Sequence, residues 1–199
     1  MTATEGGTKV GLYAVTVIGR DRPGTVAEVT RAVAGGGAIG DSSMSLLGGH
    51  LAMTFVVSAG ISGDLLGESL TRGIPELTVA VTDLAPAPVA PSAAPGSAVP
   101  PVPVASSGDL TDDGPPGLAY ALTLHGPTRT DVLPVATGLL AEVGCAVTSM
   151  TTRVAGNLFV LVADVELPAQ ADVASLMRAM AAALDGFRIA FRPADPAVM

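Results

Sequence analysis

A segment rich in proline and alanine, residues 85–117, separates two parts of the chain that are similar in length. Proline fixes φ and has no backbone N–H to donate, so such a segment suits neither a helix nor a strand ladder. We predict a disordered linker here, extended at about 3 Å per residue in its proline-rich part. The chain then has two domains, which we place at residues 10–84 and 118–194.

The first part contains a complete series of strand and helix patterns. A β-rich run leads through a polar turn into a helical pattern in which Val26, Val29 and Val33 share one face, and Gly35–Gly37 end it. Two strand-like runs flank the glycines of a tight hairpin, and a weaker helix and a last strand follow. The predicted elements are Leu12–Ile18, Thr25–Ala34, Ala38–Leu47, Leu51–Ala59, Asp64–Arg72 and Leu77–Leu84.

The second part repeats this order. Its first helix carries Leu133, Leu140 and Val143 on one face and ends at Gly144. The other predicted elements are strand Tyr120–Leu124, a turn at Gly126–Asp131, strands Ala146–Val154 and Leu158–Val165, an amphipathic helix from Val173 to Leu184, and a strand with Phe187, Ile189 and Phe191. An internal repeat explains the shared order.

The order βαββαβ predicts a ferredoxin-like domain of the α+β class in each part. Such a domain has a four-stranded antiparallel sheet with both helices on one face. The other face and the sheet edges remain open, so two copies can pair side by side within one chain, or the chain can form a homodimer.

The composition narrows the classes of function. Hydrophobic residues make up 49% of the chain but there is no tryptophan, so we expect thin cores of Val, Leu, Ala and Met. The net charge of -8 provides no basic surface for nucleic acid, and no apolar stretch reaches the roughly 20 residues of a membrane span. Residues 1–9 do not resemble a secretory signal, so we expect a cytoplasmic protein that contacts neither nucleic acid nor membrane.

The polar loop after the first strand has the chemistry of an amino-acid site. The loop consists of Asp21, Arg22, Pro23 and Gly24. Gly24 allows close approach of a ligand, and the free amides from Gly24 through Thr25 to Val26 can bind a carboxylate with help from the helix dipole. Asp21 can pair with an α-ammonium group. The alternative is that Asp21 only caps the helix and the rest of the loop only shapes the turn.

Three stretches of the first part together resemble the ACT domain family of small ligand-sensing modules. They are the loop Asp21–Gly24, the strand segment Ile39–Met44 and the hairpin Gly48–Met53. The tandem arrangement is similar to that of the glycine cleavage system transcriptional repressor family. The resemblance implies regulation without catalysis: an amino acid bound between paired domains changes the domain arrangement or the oligomer, and thereby the affinity for a protein partner.

The resemblance also implies that the ligand lies between the Asp21–Gly24 loop and the second strand of an adjacent copy. The strand residues would be Ala38, Ile39, Gly40 and Asp41 from one copy, and Ala146, Val147 and Thr148 from the other. The family often has Asn where this chain has Ala38. In the second copy, Thr128 stands in the place of Asp21 and Asp131 in the place of Gly24, so we predict one competent site.

Catalytic interpretations have less support in the sequence. Cys145 is the only cysteine, and we interpret it as a small buried side chain. His50 and His125 are far apart, and neither a metal-ligand spacing nor a catalytic triad is present. We therefore expect no metal, no cofactor and no enzyme activity.

Two other interpretations stay open. Formyltetrahydrofolate deformylases begin with an ACT-type segment that residues 11–84 resemble, although we expect their catalytic domain to be absent here. A ligand-free module, whose open sheet surface binds a partner protein, would fit Ala38 and the altered second loop.

Overall fold

The structure, a computed structural model, describes residues 10–84 and 118–194. The predicted linker at residues 85–117 lies outside the described residues. The described part contains two successive βαββαβ units that form antiparallel sheets. The prediction of two ferredoxin-like domains in tandem is confirmed.

The first unit follows the predicted order. Its elements have the predicted bounds or extend slightly beyond them, except that the last strand is one residue shorter at each end. The elements are β1 (Gly11–Arg20), α1 (Thr25–Gly36), β2 (Ala38–Leu47), β3 (His50–Ala59), α2 (Gly63–Gly73) and β4 (Thr78–Asp83).

The second unit differs from the prediction at its first turn. Gly126 was predicted to begin this turn, but it lies in a strand and is paired with Phe159. The ring of Phe187 lies against Gly126, where a Cβ atom would come within 2.7 Å of it. The glycine is therefore explained by close packing. The elements are β5 (Leu118–Pro127), α3 (Val132–Glu142), β6 (Ala146–Ala155), β7 (Leu158–Leu167), α4 (Val173–Ala183) and β8 (Arg188–Pro193).

The two units share one eight-stranded sheet, in the order β4-β1-β3-β2-β6-β7-β5-β8. They meet at the antiparallel pair β2–β6, which runs from Ser42 opposite Thr152 to Ser45 opposite Ser149. The sequence left open whether the copies pair within one chain or between chains. In the structure they pair within the chain.

Side chains alternate across this sheet between a buried face and an open one. In β3, Leu51, Met53, Phe55 and Val57 are buried, whereas the residues between them are more accessible. The helices cover the buried face, with α1 and α3 in contact. Within residues 10–84 and 118–194, no helix is long and apolar enough to cross a membrane.

Candidate ligand site between the repeats

Polar contacts hold β2 and β6 in register. The hydroxyl oxygens of Ser42 and Thr152 are 2.8 Å apart. The Asp41 carboxylate accepts hydrogen bonds from the Val154 amide and the Arg153 guanidinium, each at 2.8 Å. Burial raises the pKa of Asp41, but these two donors outweigh burial and the net pKa is lower than usual. The ionised carboxylate is thus stabilised where the two units meet.

A second polar contact joins α1 and α3. Thr30 and Thr137 are both buried, and their hydroxyl oxygens are 2.7 Å apart. The Thr137 hydroxyl also lies 2.9 Å from the Leu133 carbonyl oxygen. The Thr30 hydroxyl lies 3.2 Å from the Ala27 carbonyl oxygen of its own helix. Because a hydroxyl has one hydrogen, one of the two threonines donates to the other, and the second donates to a carbonyl of its own helix. The two helices are linked by a chain of hydrogen bonds.

A cavity of about 550 Å³ opens where the start of α1 faces the end of α3. This volume falls in the range of about 300–1,000 Å³ that is typical of small-molecule sites. The first unit contributes Asp21, Arg22, Pro23, Gly24, Val26, Ala27, Leu46, Gly48 and Gly49 to its walls, and the second contributes Thr137, Ala141, Gly144, Cys145, Ala146 and Val147. Both repeats are therefore needed to build it.

The direction of the β2–β6 pairing explains this arrangement. Because the strands are antiparallel, the end of β2 and its hairpin turn lie beside the start of β6. The Asp21 amide donates to the Gly49 carbonyl at 2.9 Å, which fixes the loop after β1 to the same hairpin. The loop of one repeat thus faces the start of the second strand of the other.

The start of α1 lies at the wall of the cavity. Gly24 is the N-cap residue with φ of 87°, a left-handed conformation that favours glycine, and no side chain caps this helix. The amides of the first helical turn have no acceptor within the helix. Val26 and Ala27, in this turn, both line the cavity. The alternative in which Asp21 only caps the helix is contradicted by the uncapped start.

The two charged side chains of the loop differ in their salt bridges. The Arg22 guanidinium pairs with Glu28 at 3.2 Å and with Glu76 at 2.6 Å. The Asp21 carboxylate, in contrast, forms no salt bridge within the described ranges. Burial raises the pKa of Asp21, and a backbone hydrogen bond at Arg22 opposes this only in part. Asp21 is therefore a partly desolvated carboxyl group that an ammonium group could pair with.

Most of the residues that the sequence predicts for the site lie around this cavity. They are Asp21, Arg22, Pro23, Gly24, Val26, Ala146 and Val147. Thr25 does not line the cavity; it is buried, and its hydroxyl has no hydrogen-bond partner in the described part of the chain.

The other predicted strand residues lie elsewhere. Ala38, Ile39, Gly40 and Asp41 are not among the lining residues. Asp41 binds Arg153 and Val154, and the β2–β6 register directs the start of β2 towards the turn after β6. Thr148 is also outside the walls, and its hydroxyl donates to the Asp164 carbonyl at 3.1 Å. Because β2 and β6 are antiparallel, the loop after β1 lies beside the start of β6. The start of β2 lies at the opposite end of the β2–β6 pair, away from this loop.

Sequence reasoning missed the hairpin residues and the end of α3. Leu46, Gly48 and Gly49 lie near the loop because β2 and β3 form a hairpin beside it. Thr137, Ala141 and Cys145 join the cavity only through the pairing of the two repeats. The hairpin signal was present in the sequence, whereas nothing in it indicated which helix end would face the loop.

In the corresponding loop of the second repeat, the side chains of Thr128, Arg129 and Asp131 already have hydrogen-bond partners. Arg129 forms two hydrogen bonds to the Asp131 carboxylate, at 3.0 and 2.6 Å, and this pairing lowers the pKa of Asp131. The Thr128 hydroxyl donates to the Gly156 carbonyl at 3.3 Å. The acidic group in the place of Gly24 is therefore already paired, and no carboxylate corresponds to Asp21.

Groups with catalytic potential are sparse in the described residues. The Cys145 side chain is 6% exposed, and burial together with Glu166 raises its pKa to about 12. The thiol therefore remains protonated at neutral pH. Within residues 10–84 and 118–194, no group of three or more His, Cys, Asp or Glu residues is placed to hold a metal ion.

Comparison with known proteins supports the family resemblance. Residues 13–82 match the family model described as ACT domain, which spans most of the first repeat. The resemblance inferred from the sequence is confirmed. No curated protein matches the chain.

Several solved structures are similar to the chain, including the following three. An unknown protein from Galdieria sulphuraria is 21% identical with a TM-score of 0.37, covering 94% of this chain and 99% of that one. A candidate glycine cleavage system transcriptional repressor is 17% identical with a TM-score of 0.35, covering 93% and 99%. A formyltetrahydrofolate deformylase from Pseudomonas putida is 19% identical with a TM-score of 0.36, covering 39% and 29%.

Proposed function

We propose that this chain, whose first repeat matches the ACT domain family, is a regulatory protein without catalytic activity. It binds a free amino acid in the cavity between the repeats and thereby modulates a partner protein or transcriptional regulation. The observation that carries the proposal is the cavity of about 550 Å³ that both repeats build around the Asp21–Gly24 loop. We retain the predicted domains, residues 10–84 and 118–194, and a cytoplasmic location as parts of this proposal.

The loop offers one group for each charge of a zwitterion. The ligand's α-ammonium group pairs with the Asp21 carboxylate, which has no salt bridge in the described part of the chain. Its α-carboxylate accepts hydrogen bonds from the amides of Val26 and Ala27, where the helix dipole favours negative charge. Both groups line the same cavity.

The shared walls provide a route from binding to regulation. A ligand that contacts both repeats stabilises the paired arrangement relative to any arrangement in which the units separate. A protein partner that prefers one arrangement then gains or loses affinity through thermodynamic linkage. An amino acid that binds but changes neither oligomeric state nor partner affinity would contradict this regulatory role.

A thermal-shift screen against the twenty amino acids tests the binding proposal. At a ligand concentration of 100 Kd, mass action stabilises the folded state by about 2.7 kcal/mol, which is readily measured as an increase in Tm. Asp21→Asn should strongly reduce the shift. Asp83→Asn removes the same charge from an exposed position on β4 and should retain it. If no amino acid shifts the wild type, the chain is a ligand-free interaction module instead.

A further inference from the structure

We propose that the ligand's side chain is apolar and uncharged, so that the site takes an aliphatic or similarly apolar amino acid. This inference rests on the proposed function, because it concerns the same cavity. It adds the chemical class of the ligand, which the loop motif alone does not determine.

The walls around the loop are mainly apolar. Once the first-turn amides and Asp21 are assigned to the ligand's backbone groups, the remaining surface consists largely of small and medium apolar side chains. They are Val26, Ala27, Leu46, Ala141, Cys145 and Val147. These residues come from both helices, the hairpin and β6, so the apolar surface surrounds the space where a ligand side chain would lie.

The polar side chains on these walls already have partners. Arg22 is paired with Glu28 and Glu76. The Thr137 hydroxyl is hydrogen-bonded to the Thr30 hydroxyl and lies 2.9 Å from the Leu133 carbonyl oxygen. The Cys145 thiol is protonated at neutral pH and is a weak donor. Among the described lining residues, Arg22 is the charged side chain other than Asp21, and its charge is already balanced by two glutamates.

Desolvation then determines the preference. An apolar side chain gains affinity with the area that it removes from water, by about fourfold for each buried methylene group. A polar amide placed against the same walls loses its hydrogen bonds to water, and the apolar or already paired side chains do not replace them, which weakens binding by at least about tenfold. A charged side chain is disfavoured still more strongly.

Isothermal titration calorimetry with matched amino acids tests this preference. Leucine and asparagine are similar in shape, and norleucine and lysine are similar in length. We expect leucine and norleucine to bind at least about tenfold more tightly than asparagine and lysine. We also expect affinity to increase along the series alanine, 2-aminobutyrate, norvaline and norleucine. Tighter binding of the polar or charged member of either pair would overturn the inference.

A pair of equivalent substitutions tests the location of the side chain. Ala141→Leu, at a partly exposed position on α3, reduces the space opposite the loop. We expect it to weaken norleucine at least tenfold while changing alanine binding less. Ala34→Leu makes the same change at the corresponding position of α1, away from this cavity, and should leave both affinities unchanged. Equal effects of the two variants, or no effect of Ala141→Leu, would overturn the inference.

The outcomes separate the ligand class from the function. If a polar or charged amino acid binds best and Asp21→Asn strongly weakens its binding, the apolar ligand class is wrong and the proposed binding of an amino acid at Asp21 stands. If no amino acid binds, the proposed function fails and the ligand class fails with it. If apolar ligands bind, and Ala141→Leu but not Ala34→Leu weakens their binding, the apolar ligand class and the binding of an amino acid in this cavity are both supported.

Discussion

At the scale of single residues, the Asp21 carboxyl group is central to the proposed ligand chemistry. Burial raises its pKa above the usual value of 3.8, so the charged form is disfavoured in the ligand-free folded state. A bound ammonium group reverses this effect by favouring the carboxylate. Folding therefore favours the protonated form of Asp21, whereas binding of an ammonium group favours its ionised form.

We predict that ligand affinity decreases as the pH falls from 7 through the raised pKa of Asp21, because the protonated carboxyl no longer pairs with ammonium. Calorimetric titrations at several pH values, with folding monitored by circular dichroism, measure this effect. In Asp21→Asn the remaining weak binding should not follow this pH dependence. An identical pH profile in the variant would rule out Asp21 as the ammonium partner.

The same residue has a predicted effect on stability. A raised folded-state pKa means that the ionised Asp21 side chain lowers stability at pH values above its pKa, and that this cost disappears at lower pH. Without ligand, Asp21→Asn should therefore be at least as stable as the wild type at pH 7. Urea unfolding measures this. A clear loss of stability would show that Asp21 is structural.

Asp41 is predicted to respond to pH in the opposite direction. Its folded-state pKa lies below 3.8, because donors from Val154 and Arg153 outweigh the effect of burial. The stabilisation is complete above the unfolded-state pKa and is lost as the pH falls through the lower folded-state value. Asp41→Asn should lower Tm at pH 7, and the difference from the wild type should shrink below about pH 4. Asp83→Asn is the control, and a difference that is constant with pH would contradict the assignment.

At the scale of secondary-structure elements, α1 and α3 are joined by one buried hydroxyl pair. Thr30→Val removes the hydroxyl partner of Thr137 with little change in shape and should lower the free energy of unfolding by about 1–2 kcal/mol. The double variant Thr30→Val/Thr137→Val should lose less than the sum of the single variants, because it leaves no unpaired hydroxyl in the contact. Thr54→Val, on the exposed side of β3, should change stability by less than about 0.5 kcal/mol. Additive losses in urea unfolding would contradict the pairing.

The two loops at the starts of α1 and α3 should differ in function. The first has Gly24 at the helix start and a carboxylate without a salt bridge in the described residues, whereas in the second Arg129 and Asp131 pair with each other. We predict one binding site per chain in calorimetry. Two equivalent sites per chain would contradict this asymmetry.

The elements themselves follow closely from the sequence. The valines of α1 and the alternation of β3 are strong periodic signals, and the glycines at positions 48 and 49 mark the hairpin. Gly126 was misinterpreted because a glycine required by Phe187 packing has the same signature as a turn glycine. The loop half of the candidate site was also predictable, since Asp21 to Val26 are contiguous in the chain.

The other half of the candidate site was only partly predictable. Ala146 and Val147 were anticipated through the resemblance, but Ala141 and Cys145 approach the loop only because β2 pairs with β6. The polar, exposed residues along β2, such as Ser43 and Ser45, are compatible with pairing within one chain or between chains. Local pattern therefore could not specify the tertiary contact that completes the cavity.

At the scale of the whole molecule, the repeats form one sheet and share one cavity. Because neither repeat encloses this cavity alone, the repeat with the altered loop still contributes Thr137, Ala141 and Cys145 to the walls. A ligand that fills it bridges the two units, and this bridge is the physical basis proposed for regulation.

A crystal structure of the chain with leucine would show directly whether the cavity between the repeats binds an amino acid. The account predicts the ammonium group at the Asp21 carboxylate, the carboxylate at the amides of Val26 and Ala27, and the side chain against Ala141. Leucine bound on the open face of the sheet, at the Arg129–Asp131 loop, or nowhere in crystals grown at saturating concentration would contradict it.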